Sequence, residues 1–406
     1  WRQAEQPESK HRIVFIREVS IVSQFNSEHL AEARAYNKMT GEELAGLIGV
    51  KKQAISQFEN KKAEPDYGTV CRMSAALKFP VSFFYEKNVS SLVGNTYFRA
   101  PFSSNKKDLN SQKIKAKYVA QIYGTLARYV DFCPYNVPEF KDTQNIASIA
   151  QRLRDYWGLG QEPIQDMISL MERNGIIMSE FATDSKKIDA FYQYGEIRDN
   201  AYHCVVLGTE KPSFVRRQFS VAHELGHIVL HEKFNDLDEV SREDFRKRED
   251  EANEFAAAFL LPQSSFLSDL KMYPNKLTHY VELKRKWRVS ISAMVMRAYN
   301  LEAINQNQYQ YLMRQISKNG WRTEEPLDDY IPLTHPKALR QAVNLIILNN
   351  VLSGQQLLNE FKADGISLSK FVVDEVLSLE PDTITLDDSQ PIAKIVPFAK
   401  LKDKHE

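Results

Sequence analysis

The stretch FSVAHELGHIVLHE, Phe219 to Glu232, restricts this chain more than any other, because it reads as one helix carrying three histidines and two glutamates. His223 and His227 are four residues apart, which on a helix puts them on one face with a rise of about 6 Å, close enough for both imidazoles to reach a single ion. Glu224 follows the first histidine and so stands beside that ion without binding it. This is the HExxH arrangement, in which zinc lowers the pKa of a water and the glutamate takes its proton. His231, eight residues from His223, sits about 12 Å along the axis, too far to share an ion held at about 2 Å, and is expected to pack or gate.

A zinc of this kind needs a third protein ligand, and FRKREDEANEFAAAFLLP is the stretch placed to supply it. Glu249 and Asn253 are four residues apart and share a face, so Glu249 is expected to bind the metal and Asn253 to brace a ligand histidine from outside the coordination. Glu251 points about 160° away on a regular helix and is the alternative ligand. Taken alone, this stretch would be a solvated acidic helix end before the buried run FAAAFLL; beside HELGH the metal reading prevails.

The rest of the chain has room for more than one unit, since 406 residues with 43% hydrophobic content can bury large cores in two or three domains. No apolar run approaches the roughly 20 residues of a membrane span, and the N-terminus lacks the order of a signal peptide, so the cytoplasm is expected and a membrane is not. A chain opening on Trp1 rather than methionine is expected to be trimmed or to lack upstream residues. Cys71, Cys133 and Cys204 are odd in number, widely spaced and without a CxxC pair, which fits reduced packing thiols. The formal charge is zero, so a nucleic-acid surface would have to come from local asymmetry.

From Asn26 the pattern turns helical in short pieces, EHLAEARAYN, TGEELAGLIGV, KKQAISQFENKK and DYGTVCRMSAALKF. Thr40 is placed to cap a helix with Glu43 three residues on, and Gly49 interrupts the apolar run of Leu44, Leu47 and Ile48 before a new helix starts near Lys51. Two short helices joined by a glycine turn make a helix-turn-helix. In the second helix Val50, Ala54, Ile55 and Phe58 form the inner side and leave Lys51, Lys52, Gln53, Ser56 and Gln57 outside. Lysine meets phosphate or guanine and glutamine pairs with adenine, so these five side chains are expected to face the major groove of double-stranded DNA. A plain bundle with a solvated polar face competes with this, because the charges of residues 26–87 nearly cancel.

LAGLIGVKKQAISQFENKK resembles the LAxxxGVxxxxISxxExG pattern of the Xre/Cro repressor family, which implies a small five-helix DNA-binding domain, set here at residues 26–88. Gly41 stands where many members carry a phosphate-contacting glutamine, and Asn60-Lys61 replaces the usual glycine after the glutamate. These departures bear on affinity more than on fold.

Residues 1–25 show no strong period and are read as an extension, and residues 89–160 as a helical linker region. In the latter, up to Tyr118, Arg99, Lys106, Lys107, Lys113, Lys115 and Lys117 stand against the single acid Asp108. Interleaved with Tyr97, Phe98 and Phe102, they would suit a groove for single-stranded nucleic acid. A linker helix with a solvated basic face is the commoner outcome of such a run. After the helix PIQDMISLMERNG, the apolar runs IIMSEFA, IDAFYQY and AYHCVVLG read as an antiparallel sheet leading into the histidine helix. Tyr192, Tyr202 and His203 on these strands are expected to be ordinary sheet residues rather than oxyanion donors, and Arg216 and Arg217 to make structural ion pairs. The tail from His335 to Leu379 is helical without chemistry of its own and is expected to pack on the core or to mediate self-association, leaving a homodimer open.

RRQFSVAHELGHIVLH, followed by EDEANEFAAAFLLP, resembles the ImmA/IrrE family of zinc metallopeptidases. LKRKWRVSISAMVMRAYNL with YLMRQISKNGWRTEEP resembles the downstream part of members that carry an N-terminal Xre domain. The resemblance spans most of residues 26–379 and is weakest over 87–161. It implies a zinc cofactor held by His223, His227 and Glu249, with Glu224 as general base. It also implies a protein substrate such as a helix-turn-helix repressor, cut to release genes under stress or in mobile elements. The fold class that follows is mainly α, with an N-terminal all-α helix-turn-helix bundle and a helical linker. A small α+β zincin-like HExxH core with a short antiparallel sheet occupies residues 161–320, and a C-terminal helical region residues 321–406. A DNA-binding regulator or antitoxin with a non-catalytic metal site is the alternative; Glu224 favours the peptidase, because a structural site has no need of it.

Overall fold

In the computed structural model of the chain the described residues are 24–87, 97–98, 106–140, 145–183, 189–197, 200–210, 213–231 and 241–386. Most of the N-terminal extension and Arg99 and Phe102 of the basic stretch lie outside them.

The first helices, α1 (Ser27–Tyr36), α2 (Gly41–Ile48), α3 (Lys52–Glu59) and α4 (Tyr67–Leu77), form a bundle closed by a 3-10 turn at Val81–Tyr85. Thr40 and Glu43 cap α2 reciprocally: the Thr40 hydroxyl accepts from the Glu43 N–H at 3.1 Å, and the Glu43 carboxylate accepts from the Thr40 N–H at 2.6 Å. Gly49 ends α2 at φ 70°, a left-handed turn that costs glycine nothing. The turn folds α3 back so that Ile55 and Phe58 join Leu44, Ile48, Val70 and Met73 in the core. An ion pair at 2.6 Å from Arg34 to Glu59 ties α3 to α1.

Helix α5 (Lys106–Leu126) corrects the expectation of a linker with a solvated basic face. Ser111, Gln112, Lys115, Ala116, Tyr118, Val119, Ala120 and Ile122 are buried, because the helix has apolar residues on most of its turns. Lys115 is spent on Glu375 at 2.6 Å and Lys117 on Glu32 at 2.9 Å, whereas Lys106, Lys107 and Lys113 are exposed. Next come α6 (Ile146–Tyr156), α7 (Met167–Arg173), α8 (Phe214–Leu230), α9 (Arg242–Leu260), α10 (Gln263–Leu270), α11 (Leu277–Trp287), α12 (Ile291–Asn300) and α13 (Gln306–Lys318). The chain then runs through α14 (Ala338–Leu348), α15 (Gly354–Ala363) and α16 (Lys370–Leu377). Among the described residues no helix is long and apolar enough to cross a membrane.

Strands β1 (Tyr97–Phe98), β2 (Ile177–Phe181), β3 (Ala190–Ile197) and β4 (Asn200–Gly208) make one sheet in the order β1-β3-β4-β2. The β3–β4 hairpin is antiparallel, as the sequence suggests, and β1, a strand not expected from the sequence in the linker region, also pairs antiparallel with β3. The third pairing is a correction: β2 runs parallel to β4, with Ile177 opposite Cys204. The physical reason is topological. β2 lies on the outer edge of β4 and runs antiparallel to β3, the next strand in the chain; because β3 and β4 form a hairpin and so run opposite ways, β2 is parallel to β4.

Two cores meet at this sheet, and strand alternation divides its residues between them. Tyr202, Cys204 and Val206 enter the core shared by the bundle, α5 and α14 to α16, whereas Val205 and Leu207 enter the core of α6 to α13. The bundle is therefore packed against the rest of the chain. The Tyr36 hydroxyl donates to Glu375 at 2.7 Å, the Ser111 hydroxyl to the Tyr36 carbonyl at 2.7 Å, and Lys38 to the Thr183 carbonyl at 2.8 Å.

A buried ion pair fixes α8 to the sheet. Arg217 meets Glu180 of β2 at 2.9 Å, with side chains 5% and 6% exposed, and His335 meets the other Glu180 oxygen at 2.6 Å. Removing one partner of such a pair strands a buried charge, so Glu180→Ala is expected to cost about 3–5 kcal/mol in urea denaturation. The double variant Glu180→Leu/Arg217→Met should recover much of that loss; a single variant as stable as the wild type would contradict it.

Candidate metal centre

Helix α8 turns Val221, Ala222, Leu225 and Ile228 into the core and leaves its two HExxH histidines along the edge facing α9. The two helices come close together at Gly226, where a Cβ would lie 3.1 Å from the Cα and carbonyl oxygen of Ala252 and 3.2 Å from Phe255. Glycine is what lets α9, started by the Ser241 cap on the Asp244 N–H, bring its acidic turn over the histidines.

At that crossing the Nε2 atoms of His223 and His227 lie 2.9 Å apart. The Glu249 carboxylate is 3.3 Å from the first and 3.6 Å from the second. One ligand atom from each of the three falls within 4.8 Å of the others. Two imidazole nitrogens and a carboxylate oxygen are the donor set of an open zinc site. The outward nitrogens fit the same purpose: His223 Nδ1 is 3.0 Å from the Asn253 side-chain oxygen, and His227 Nδ1 is 2.9 Å from His231 Nδ1. An amide oxygen only accepts, so a His223 that gives its Nε2 lone pair to a cation would carry its proton on Nδ1 and donate it to Asn253.

Glu224 is buried at 6% exposure on the same turn. Burial works against protonation of His223, yet the hydrogen bond with Glu249 and the charges of Glu224 and Glu249, with Asn253 adding, hold its imidazole above the usual histidine range. Glu251 does not join the cluster; its carboxylate lies 3.0 Å from His231 Nε2. His231 itself is the residue at which α8 ends, and it touches His227 and Glu251 rather than standing apart as packing. The sequence offers a signal for the close helix crossing, the glycine inside HELGH. The four-residue spacing of His227 and His231 is likewise a signal for their contact, but nothing in the sequence marks Glu251 as the partner of His231.

Of the other residues singled out, Arg217 makes the ion pair described above, whereas Arg216 is exposed and lines a cavity. Tyr192 and His203 are bonded to each other at 2.7 Å, and the Tyr202 hydroxyl accepts from Gln193 at 2.9 Å. The cavity, of about 820 Å3, has Phe219 and Ser220 of α8 on one side, one turn before His223, and Ala293, Met296, Met313 and Trp321 among its other walls. In the bundle, Lys51, Lys52, Gln53, Ser56 and Gln57 are all exposed while Ile55 and Phe58 are buried. Lys52 reaches Glu42 at 2.9 Å in an exposed pair of the kind that contributes little.

Residues 172–299 match the family model of the IrrE N-terminal-like domain, and residues 30–84 match that of a helix-turn-helix. The chain joins an IrrE-like domain to a helix-turn-helix. No curated protein matches it. The IrrE-like match takes in β2 to β4 and α8 to α12, and hence the whole His223, His227 and Glu249 cluster. Trp321 and Met313 of the cavity wall lie beyond it. The helix-turn-helix match runs from α1 to the 3-10 turn and includes α3 with its exposed polar face.

Proposed function

We propose that the protein is a zinc-dependent endopeptidase coupled to a DNA-binding regulator, acting in the cytoplasm on a partner protein of the helix-turn-helix repressor class. The observation that carries this reading is the convergence of two imidazole Nε2 atoms and the Glu249 carboxylate beside buried Glu224. In this reading residues 161–320 are the peptidase unit and 26–88 the DNA unit, with the extension, helical region and C-terminal helices supporting them. His223, His227 and Glu249 hold the metal, Asn253 orients His223, and Glu224 is the base.

Zinc bound there supplies a Lewis acid that polarises a peptide carbonyl and acidifies water. The Glu224 carboxylate takes the proton of the attacking water as its oxygen bonds to the carbonyl carbon. It then passes that proton to the departing amide nitrogen, so that the C–N bond breaks to a carboxyl and an amine. The cavity beside Phe219 and Ser220 takes a side chain of the substrate and holds the scissile bond against the helix.

Metal analysis of the purified chain is expected to give about one zinc per molecule, the stoichiometry of an open HExxH site. Incubation with candidate repressors should give discrete fragments that a chelator suppresses. A chain without zinc overturns the reading.

The exposed face of α3 supports duplex DNA as the second partner, read by a dimer because one small helix-turn-helix covers few base pairs. Selection from a random duplex library is expected to enrich one motif. Gln53→Ala with Gln57→Ala should relax that preference, whereas Lys52→Ala should weaken binding to all sequences. Enrichment of no motif, at salt low enough for any DNA to bind, would make the bundle a protein-docking unit.

A further inference from the structure

We propose that His231 and Glu251 form a hydrogen-bonded relay that fixes the tautomer and orientation of His227, and thereby sets how tightly the centre holds a divalent cation. This rests on the metal reading of the site. His231, four residues after His227, is the residue at which α8 ends, with an extended backbone at φ −113° and ψ 143°, and its ring lies over the last turn on the stripe of His223 and His227. Its side chain is 9% exposed, and its ring centre lies 5.0 Å from that of His227. The two Nδ1 atoms are 2.9 Å apart, and on the far side of the ring Nε2 is 3.0 Å from Glu251 Oε2.

Two facing imidazole nitrogens bond only if one carries the proton and the other does not. If His227 gives its Nε2 lone pair to a cation, its proton is on Nδ1 and donates to His231 Nδ1. His231 then carries its proton on Nε2, where it donates to the Glu251 carboxylate, a group that only accepts when ionised. The opposite assignment sets the His231 Nε2 lone pair against a carboxylate. Read inward from Glu251, each bond therefore enforces the next, and the last outcome is an inward lone pair on His227. Lys247 approaches the remaining Glu251 oxygen at 3.9 Å from the solvent side, a cation on the outer end of the chain. The two ligand histidines are thus braced unequally. His223 leans on a neutral amide, whereas His227 leans on an imidazole backed by an anion.

The test is chelator competition for zinc on the full chain, with His231→Phe, Glu251→Gln and Glu249→Ala. His231→Phe is expected to weaken zinc binding about 10–100-fold, the usual effect of removing an outer partner of a ligand histidine. Glu251→Gln, a change on a partly exposed helix surface that keeps the side chain's shape, should shift affinity the same way by less. Glu249→Ala should lose more than either. Nitrogen-15 shifts of the zinc-loaded wild type should show His231 protonated on Nε2 and unprotonated on Nδ1, a tautomer that mere packing would not fix; the opposite tautomer overturns the relay. Wild-type protein that binds no zinc removes the metal reading itself. Wild-type protein that binds zinc no more tightly than both variants leaves the centre standing and overturns the relay. Glu251→Gln losing zinc as fully as Glu249→Ala makes Glu251 a ligand, which overturns it too.

Discussion

Glu224→Gln is expected to keep about one zinc per chain while cleavage falls by about 10²–10⁴-fold, the contribution usual for a general base. The exchange is nearly isosteric, so a buried side chain at 6% exposure is replaced without a cavity, and no proposed ligand is touched. What is lost is the ability to hold a proton between water and the leaving nitrogen. Single-turnover cleavage with metal content measured on the same sample checks it. Undiminished cleavage would remove Glu224 from the chemistry, and loss of zinc along with activity would make it a ligand or a fold determinant instead.

Gly226→Leu is expected to abolish the centre without touching any of its polar atoms. A Cβ at this position already lies 3.1 Å from the backbone of Ala252, and the rest of a leucine would enter the space of Phe255, so α9 must move away from α8. Such overpacking costs about 1–3 kcal/mol, and a shift of the helix by about 1 Å is half the length of a zinc–ligand bond. The variant should retain no zinc after dialysis, and its urea midpoint should fall. Gly226→Ala should show the same effects more weakly. A leucine variant with full zinc affinity would mean that the crossing at Gly226 does not set the distance between Glu249 and the histidines.

Both outcomes depend on features of very different visibility in the amino-acid order. The HELGH spacing, the Thr40 and Glu43 capping box, the left-handed turn at Gly49 and the outward set Lys51, Lys52, Gln53, Ser56 and Gln57 are local. Each is settled within about one or two helical turns by the 3.6-residue period and by the needs of unpaired backbone groups at helix ends, so the sequence alone carries them. The alternation that sends Val205 and Leu207 to one core and Cys204 and Val206 to the other is equally local.

What only the tertiary structure decided joins residues far apart in the chain. Glu249 and Glu251 are both acidic positions on one helix, and the crossing of α9 over α8 at Gly226 is what turns the first toward the histidines and the second toward His231. Helical spacing places His231 one turn after His227, but it does not bring Glu251 to the far nitrogen of that ring, which only the packing of α9 does. In the same way, Lys115 looks like part of a solvated basic run until Glu375, 260 residues later, is packed against it. The parallel pairing of β2 with β4 likewise depends on β2 settling beside β4, the far strand of the hairpin, instead of beside β3, its neighbour in the chain. Periodicity records which side of an element is apolar, but not which other element covers it; that choice is made by the packing of all the apolar faces together, because each must exclude water against some partner and the partners compete.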